Sequence, residues 1–288
     1  MPLCKYILSF IILLLFFSTV DASANNYLNN LTAKAIKNKL YENPSWIALL
    51  SYRKKFFTTG YHSQADTPDF FLSPQGISDP KAELISTITG FFDSKFMSDQ
   101  HPQCRFPARF QWLKQKLKID SEKLPAPDCT CLNDWKKKIK SDKATIVFPA
   151  SYLNNPSSMF GHLFLRLDAS SGVESNPLMA YTVNFAADTS SQQGTLDYAY
   201  KGLLGGFPNT TKIQRFHQRF KTYSDIENRD IWEYQLNLTQ SELDQLILHI
   251  WELQKNPFDY YFFDENCAYR QLSLLAVARP DLGLSKQF

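Results

Sequence analysis

Cys267 is the residue best placed in this sequence to act as a nucleophile. It follows Asn266, a strong helix N-cap, and opens an apolar-periodic run to about Ala278 that holds no Gly or Pro, so it falls at a first helical position. A thiol there sits among unpaired backbone N–H groups at the positive end of the helix dipole, which favours thiolate over thiol. The same amides suit the oxyanion formed when a thiolate attacks a carbonyl. The plainer reading of the pattern is a buried cysteine in a core helix.

A cysteine nucleophile needs a base, usually histidine, and often a third polar group that fixes the ring. Of the five histidines, His62 and His101 lie in the helical first half, His217 in a basic strand with Arg215 and Arg219, and His249 mid-helix. His162 stands on an otherwise apolar strand directly after Gly161, where a backbone can be approached closely, and is the candidate base. Taken alone, a strand histidine is more often a hydrogen-bonded core residue. Asn184, inside the apolar run of the next strand, needs a partner if buried and is the candidate orienting residue. In a papain-type core the cysteine helix precedes the histidine strand, whereas here His162 comes first. Geometry rather than chain order defines such a site, so a circularly permuted arrangement with the nucleophile helix last accommodates it.

The elements that must position these residues change character once. Residues 25–143 read as a helical subdomain, with helices over Asn30 to Leu40, Pro44 to Phe56, Lys81 to Phe92, from Phe106 to Leu117, and around Trp135. A Ser-, Pro- and Gly-rich loop runs from Thr58 to Pro80. Lys136-Lys137-Lys138 reads as a solvated helix face, with a lipid-headgroup patch as the alternative. Residues 144–288 read as strands over Thr145 to Phe148, Met159 to Asp168, Leu178 to Ala186, Thr211 to Thr222 and Arg229 to Leu236. In the second, Leu163, Leu165 and Leu167 share one face while His162, Phe164 and Arg166 share the other. Gly202-Leu203-Leu204-Gly205-Gly206, after a short helix from 195, lacks a Lys-Ser/Thr ending and reads as a loop beside a site. Thr239-Gln240-Ser241-Glu242 is a capping box opening a helix that carries Leu243, Leu246, Ile247, Ile250 and Trp251. The fold class is therefore α+β.

The N-terminus reads as a secretory signal peptide over 1–24. Lys5 precedes an apolar run from Tyr6 to Val20 that is short for a membrane span of about 20 residues, and Ala22-Ser23-Ala24 supplies a small-x-small cleavage site. A net charge of +3 is too mild to argue for nucleic acid. In an oxidising compartment Cys104, Cys129 and Cys131 supply one disulfide, from Cys104 to Cys129 or Cys131, and distant Cys267 is the natural unpaired thiol. The rival is a zinc site from His101, Cys104, Cys129 and Cys131, although its spacing is not that of a standard finger. Asn30, Asn209 and Asn237 head glycosylation sequons, which matter only in a eukaryotic secretory path.

Three stretches together carry a resemblance. They are Asn155-Pro156-Ser157-Ser158-Met159-Phe160-Gly161-His162-Leu163-Phe164-Leu165-Arg166, Glu265-Asn266-Cys267-Ala268-Tyr269-Arg270, and His101-Pro102-Gln103-Cys104-Arg105-Phe106-Pro107-Ala108-Arg109. They resemble the DUF4105 family, the periplasmic domain of Lnb-type lipoprotein N-acyltransferases, from about residue 35 to 284. The Asn266-Cys267 pair is also similar to the permuted NlpC/P60 and lecithin:retinol acyltransferase branch of the papain-like superfamily, whose members move acyl groups through a cysteine thioester. The resemblance implies an exported thiol acyltransferase with no cofactor. Cys267 would carry the acyl group and His162 would be its base; a lipid or phospholipid would be the donor, and a lipoprotein N-terminus or other amine the acceptor, at or near a membrane surface. The rival readings are a papain-like envelope amidase or peptidase and an inactive envelope scaffold. Family members carry a cysteine and a tryptophan at the spacing of Cys129 and Trp135, which implies that the disulfide is Cys104 to Cys129 and leaves Cys131 as an extra thiol. Many relatives continue beyond the nucleophile helix, so this chain reads as a core that works alone or as a short member.

Overall fold

The computed structural model describes residues 25–55, 58–150, 162–187, 206–220, 230–261 and 265–284. The expected signal peptide, Met159 to Gly161, the short helix with most of the glycine-rich loop, and Phe262 with Phe263 lie outside the described residues. Helices α1 (25–37), α2 (Pro44–Leu49), α3 (Pro80–Phe91), α4 (Pro102–Arg105), α5 (Pro107–Leu117) and α6 (Thr130–Lys138) come first. Their starts follow from local chemistry. Asn43 caps α2 by accepting from Ser45 N, Asp79 caps α3 by accepting from Lys81 N and Ala82 N, and Pro stands at the first turn of both.

The second helix is shorter than its periodicity implies. It stops at Leu49, Ser51 turns the chain with a left-handed φ of 51°, and β1 (Tyr52–Lys54) pairs antiparallel with β2 (Tyr61–Ser63). Tyr52 is buried and its hydroxyl donates to the Gly76 carbonyl, so anchoring one aromatic ring outweighs the helix propensity around it.

The main sheet is wholly antiparallel. It comprises β3 (Lys143–Pro149), β4 (Phe164–Asp168), β5 (Tyr181–Ala187), β6 (Phe207–Arg215), β7 (Ile231–Gln235) and β8 (Phe258–Tyr260), in spatial order β7-β3-β4-β5-β6-β8. Two strand expectations shift. β4 begins at Phe164, leaving His162 and Leu163 just ahead of it, and β6 ends at Arg215, after which Phe216–Phe220 forms a short helix, α7. The chain turns there because Phe216 is drawn into an apolar cluster with Val147 and Phe164 while its N–H donates to Ala180 O at 2.9 Å. His217 is consequently helical rather than in a strand.

Two further helices among the described residues close one face of the sheet. α8 (Gln240–Leu253) opens on the expected capping box between Thr239 and Glu242, and α9 (Cys267–Ala278) is the cysteine helix with the boundaries its sequence implies. Leu165, Leu167, Val183 and Phe185 pack with Leu246, Ile250, Leu274 and Val277 in one core that continues to Leu31, Trp46 and Trp112 of the N-terminal helices. Phe164 lies in the cluster on the other face, as the period-two alternation of β4 requires.

A buried charge cluster crosses this core. Arg109 on α5 is fully buried, 3.2 Å from Glu83 on α3 and 3.5 Å from Glu252 on α8, with its guanidinium over the Phe70 and Phe106 rings. Glu252 also accepts from the backbone of Ala108 and Arg109 at 2.8 and 3.0 Å, which satisfies orphan donors at the start of α5. Three helices distant in sequence are tied at one point.

Candidate active site

Asn266 and Cys267 form the helix start that the sequence implies. Asn266 has extended backbone angles and its side chain accepts from Tyr269 N at 3.0 Å, which leaves Cys267 at the first position of α9. Gln271, one turn on, is buried and donates to Val183 O at 2.7 Å, pinning the helix to β5 one residue from Asn184. The Cys267 thiol is partly buried, and the backbone N–H groups of Leu163, Ala268 and Cys267 itself lie close enough to favour its thiolate.

The electrostatics of this thiol differ from the expectation for a helix start. Burial pushes the Cys267 thiol above the usual thiol range, against the pull of those three amides. Desolvation of the thiolate is the larger effect, so the resting sulfur is held as a neutral thiol.

The Leu163 amide brings the histidine segment to the sulfur, since His162 directly precedes it. His162 Nε2 lies 3.4 Å from Asn184 Oδ1, joining two of the candidates. Asn184 is buried and its Nδ2 donates to Thr182 Oγ1 at 3.2 Å; Thr182 is also buried and donates to Gln214 O at 3.1 Å. The carbonyl at the end of this chain can only accept. The Thr182 proton therefore points to Gln214, its lone pair takes the Asn184 NH2, and Asn184 Oδ1 is left facing His162. The imidazole then carries a proton on Nε2, directed to Asn184 Oδ1.

The other histidines lie elsewhere. His101 caps α4, with Nδ1 accepting from Gln103 N at 3.1 Å and Nε2 2.7 Å from Asp93 O. His249 Nδ1 is 3.2 Å from Glu252, His217 Nδ1 is 3.2 Å from Leu178 O, and His62 is exposed on β2. Cys104 is bonded to Cys129, the pairing the resemblance implies, and Cys131 is an exposed free thiol. That bond removes two of the four ligands from the rival zinc set.

Two participants were not singled out from sequence. Thr182 stands two positions from Asn184 on the same strand face, a period-two signal that was available. Gln64 lies in what reads as a linker, and it meets Glu265 and Tyr269 on either side of Cys267. No local pattern announces that long-range contact.

The fold is that of an α+β chain with a cysteine at the N-terminus of α9 and a His–Asn pair beside it on the sheet. The particular family follows from comparison. Residues 132–288 match the Lnb N-terminal periplasmic domain, and the chain belongs to that family. Residues 38–116 match a domain of unknown function, DUF7843. No curated protein and no solved structure matches the chain. Among the described residues, no helix is long and apolar enough to cross a membrane.

Proposed function

We propose that this chain is an exported cysteine-dependent acyltransferase that takes an acyl group from a lipid ester and passes it to an amine such as a lipoprotein N-terminus. The observation that supports the reading is the nearness of the Leu163 amide to the Cys267 thiol, which sets the residue after His162, itself 3.4 Å from Asn184, beside the candidate nucleophile. Membership of the Lnb periplasmic family supports an envelope setting. The permuted papain-like order, with the nucleophile helix last, belongs to the same proposal.

In this reading His162 Nδ1 takes the proton as Cys267 Sγ bonds to the ester carbonyl carbon. The backbone amides at the start of α9 hold the oxyanion. On collapse the ester C–O bond breaks, and His162 returns the proton to the leaving alcohol, giving a lysolipid and an acyl thioester. The amine then attacks the thioester, loses a proton to His162, and sulfur leaves and is reprotonated. Asn184 keeps the imidazole in the tautomer this sequence needs.

The upward shift of the Cys267 thiol favours a second reading, an envelope scaffold whose cysteine is inert. Incubation of the purified chain with a phospholipid and a lipopeptide bearing a free N-terminal amine separates the readings. Mass gain of one acyl chain on the lipopeptide supports transfer. Free fatty acid with no acylated peptide points to a hydrolase of the amidase or peptidase type, and no loss of phospholipid points to the scaffold.

A further inference from the structure

The segment from Gln64 to Thr67, directly after β2, runs along the start of the cysteine helix and the strand before it. Gln64 Nε2 donates to Glu265 Oε1 at 2.6 Å, and the Tyr269 hydroxyl donates to Gln64 Oε1 at 2.7 Å. Arg53 on β1 donates from Nε to that same hydroxyl at 2.9 Å and stands 4.3 Å over the Tyr269 ring. Asp66 Oδ2 accepts from the backbone of Asp259 at 2.7 Å, and Thr67 donates to Pro257 O at 3.4 Å. Glu265 also pairs with Arg270, one turn along the helix from Cys267.

One side-chain amide therefore grips the residue just ahead of the N-cap and a residue in the first helical turn, with Cys267 between them. The directions are forced. An amide NH2 only donates and a carboxylate only accepts, while the Tyr269 proton goes to Gln64 and its lone pair to Arg53. Gln64 and Arg53 fall within residues 38–116, and Glu265 and Tyr269 within residues 132–288, so the two family-matched regions meet at the flanks of the thiol.

We propose that Gln64 is a positioning residue for Cys267, and that the β1–β2 hairpin region is a working part of the cysteine site. The proposal rests on the reading of Cys267 as an acyl carrier only for its second readout. Gln64 is uncharged and acts through the first turn of α9. It holds that turn so that the amides of Cys267 and Ala268, and the thiol itself, stay against Leu163. Without the bracket the first turn frays, the sulfur gains solvent, and the geometry for attack is lost.

The test is Gln64→Met in the full chain, which keeps side-chain length and removes both hydrogen bonds. Exposed Cys131 serves as the internal reference. The expected result at about pH 8 is a rise of about threefold or more in the iodoacetamide alkylation rate of Cys267 relative to Cys131, since the shielded thiol becomes accessible. Acyl-thioester formation on Cys267 falls by about fivefold or more as alignment is lost. Tm stays within about 2 °C. The double variant Gln64→Glu with Glu265→Gln rebuilds the donor–acceptor pair with roles exchanged and returns both rates towards those of the unaltered chain. The proposal is overturned if neither rate changes, or if both change only in proportion to a lowered Tm. If the unaltered chain forms no thioester while the alkylation ratio behaves as expected, the acyl-transfer reading falls and the positioning role stands.

Discussion

The backbone N–H of Leu163 lies close enough to the thiol of Cys267 to favour its thiolate, so a strand entry and a helix start far apart in the chain meet at a single sulfur. His162 precedes that amide and is tied through Nε2 to Asn184. The strand and the helix are further locked by the Gln271 side chain on the Val183 carbonyl. The sulfur, the imidazole segment and Asn184 thus share one corner of the sheet.

Thr182→Val tests the tautomer lock. Valine keeps the shape and removes the hydroxyl that fixes the Asn184 amide, which is then able to turn its NH2 towards His162. Loss of one neutral hydrogen bond of about 1 kcal/mol in the reacting arrangement corresponds to a fall of about fivefold in the rate of thioester formation. Thr182→Ser is expected to retain most of the rate. Nitrogen NMR of His162 is expected to show the Nε2–H form in the unaltered chain and a mixture of tautomers in Thr182→Val.

The alkylation rate of Cys267 is expected to rise with pH beyond the range of an ordinary thiol. Burial disfavours the thiolate, so its pKa lies above the usual value, and thiolate accumulates only at higher pH. Iodoacetamide kinetics across an alkaline pH series measure this directly. A plateau reached below about pH 8 would show a depressed pKa and contradict the assigned balance of forces.

Arg109→Ala is expected to destabilise the fold by about 3–5 kcal/mol, because Glu83 and Glu252 are left buried without their cation. Arg109→Met fills the space between Phe70 and Phe106 but leaves the same two carboxylates without it, so the loss is expected to persist. Urea unfolding of each variant supplies the comparison.

Glu242 predicts an acid limit. Hydrogen bonds from Arg279, and then from Thr239, hold its carboxyl down to about 2. A depressed folded-state pKa contributes stability that is present above the ordinary carboxylate range and is lost as pH falls from about 4 towards 2. Melting curves of the unaltered chain and Glu242→Gln are expected to differ at neutral pH and to converge near pH 2.

Local chemistry made much of this fold legible. The Asn266 cap, the Thr239–Glu242 box and the period-two face of β4 each act over a few residues, and each is found as its sequence implies. The misjudged elements are those decided by distant partners. Tyr52 leaves its helix to reach Gly76, and Phe216 bends the chain out of β6 to join Val147 and Phe164. The same limit applied at the site. Helix-start amides acting on Cys267 are a local effect, whereas the burial that overrides them comes from the packed core against which the residue lies. Gln64 was missed for that reason, since nothing in a polar loop marks the helix it will hold.

Intact-mass and peptide analysis of the purified chain after mixing with phospholipid tests the account most directly. The predicted result is a hydroxylamine-labile acyl adduct on the peptide carrying Cys267, absent in Cys267→Ser and strongly reduced in His162→Gln. An unmodified Cys267, or an adduct that forms equally well in His162→Gln, would contradict it.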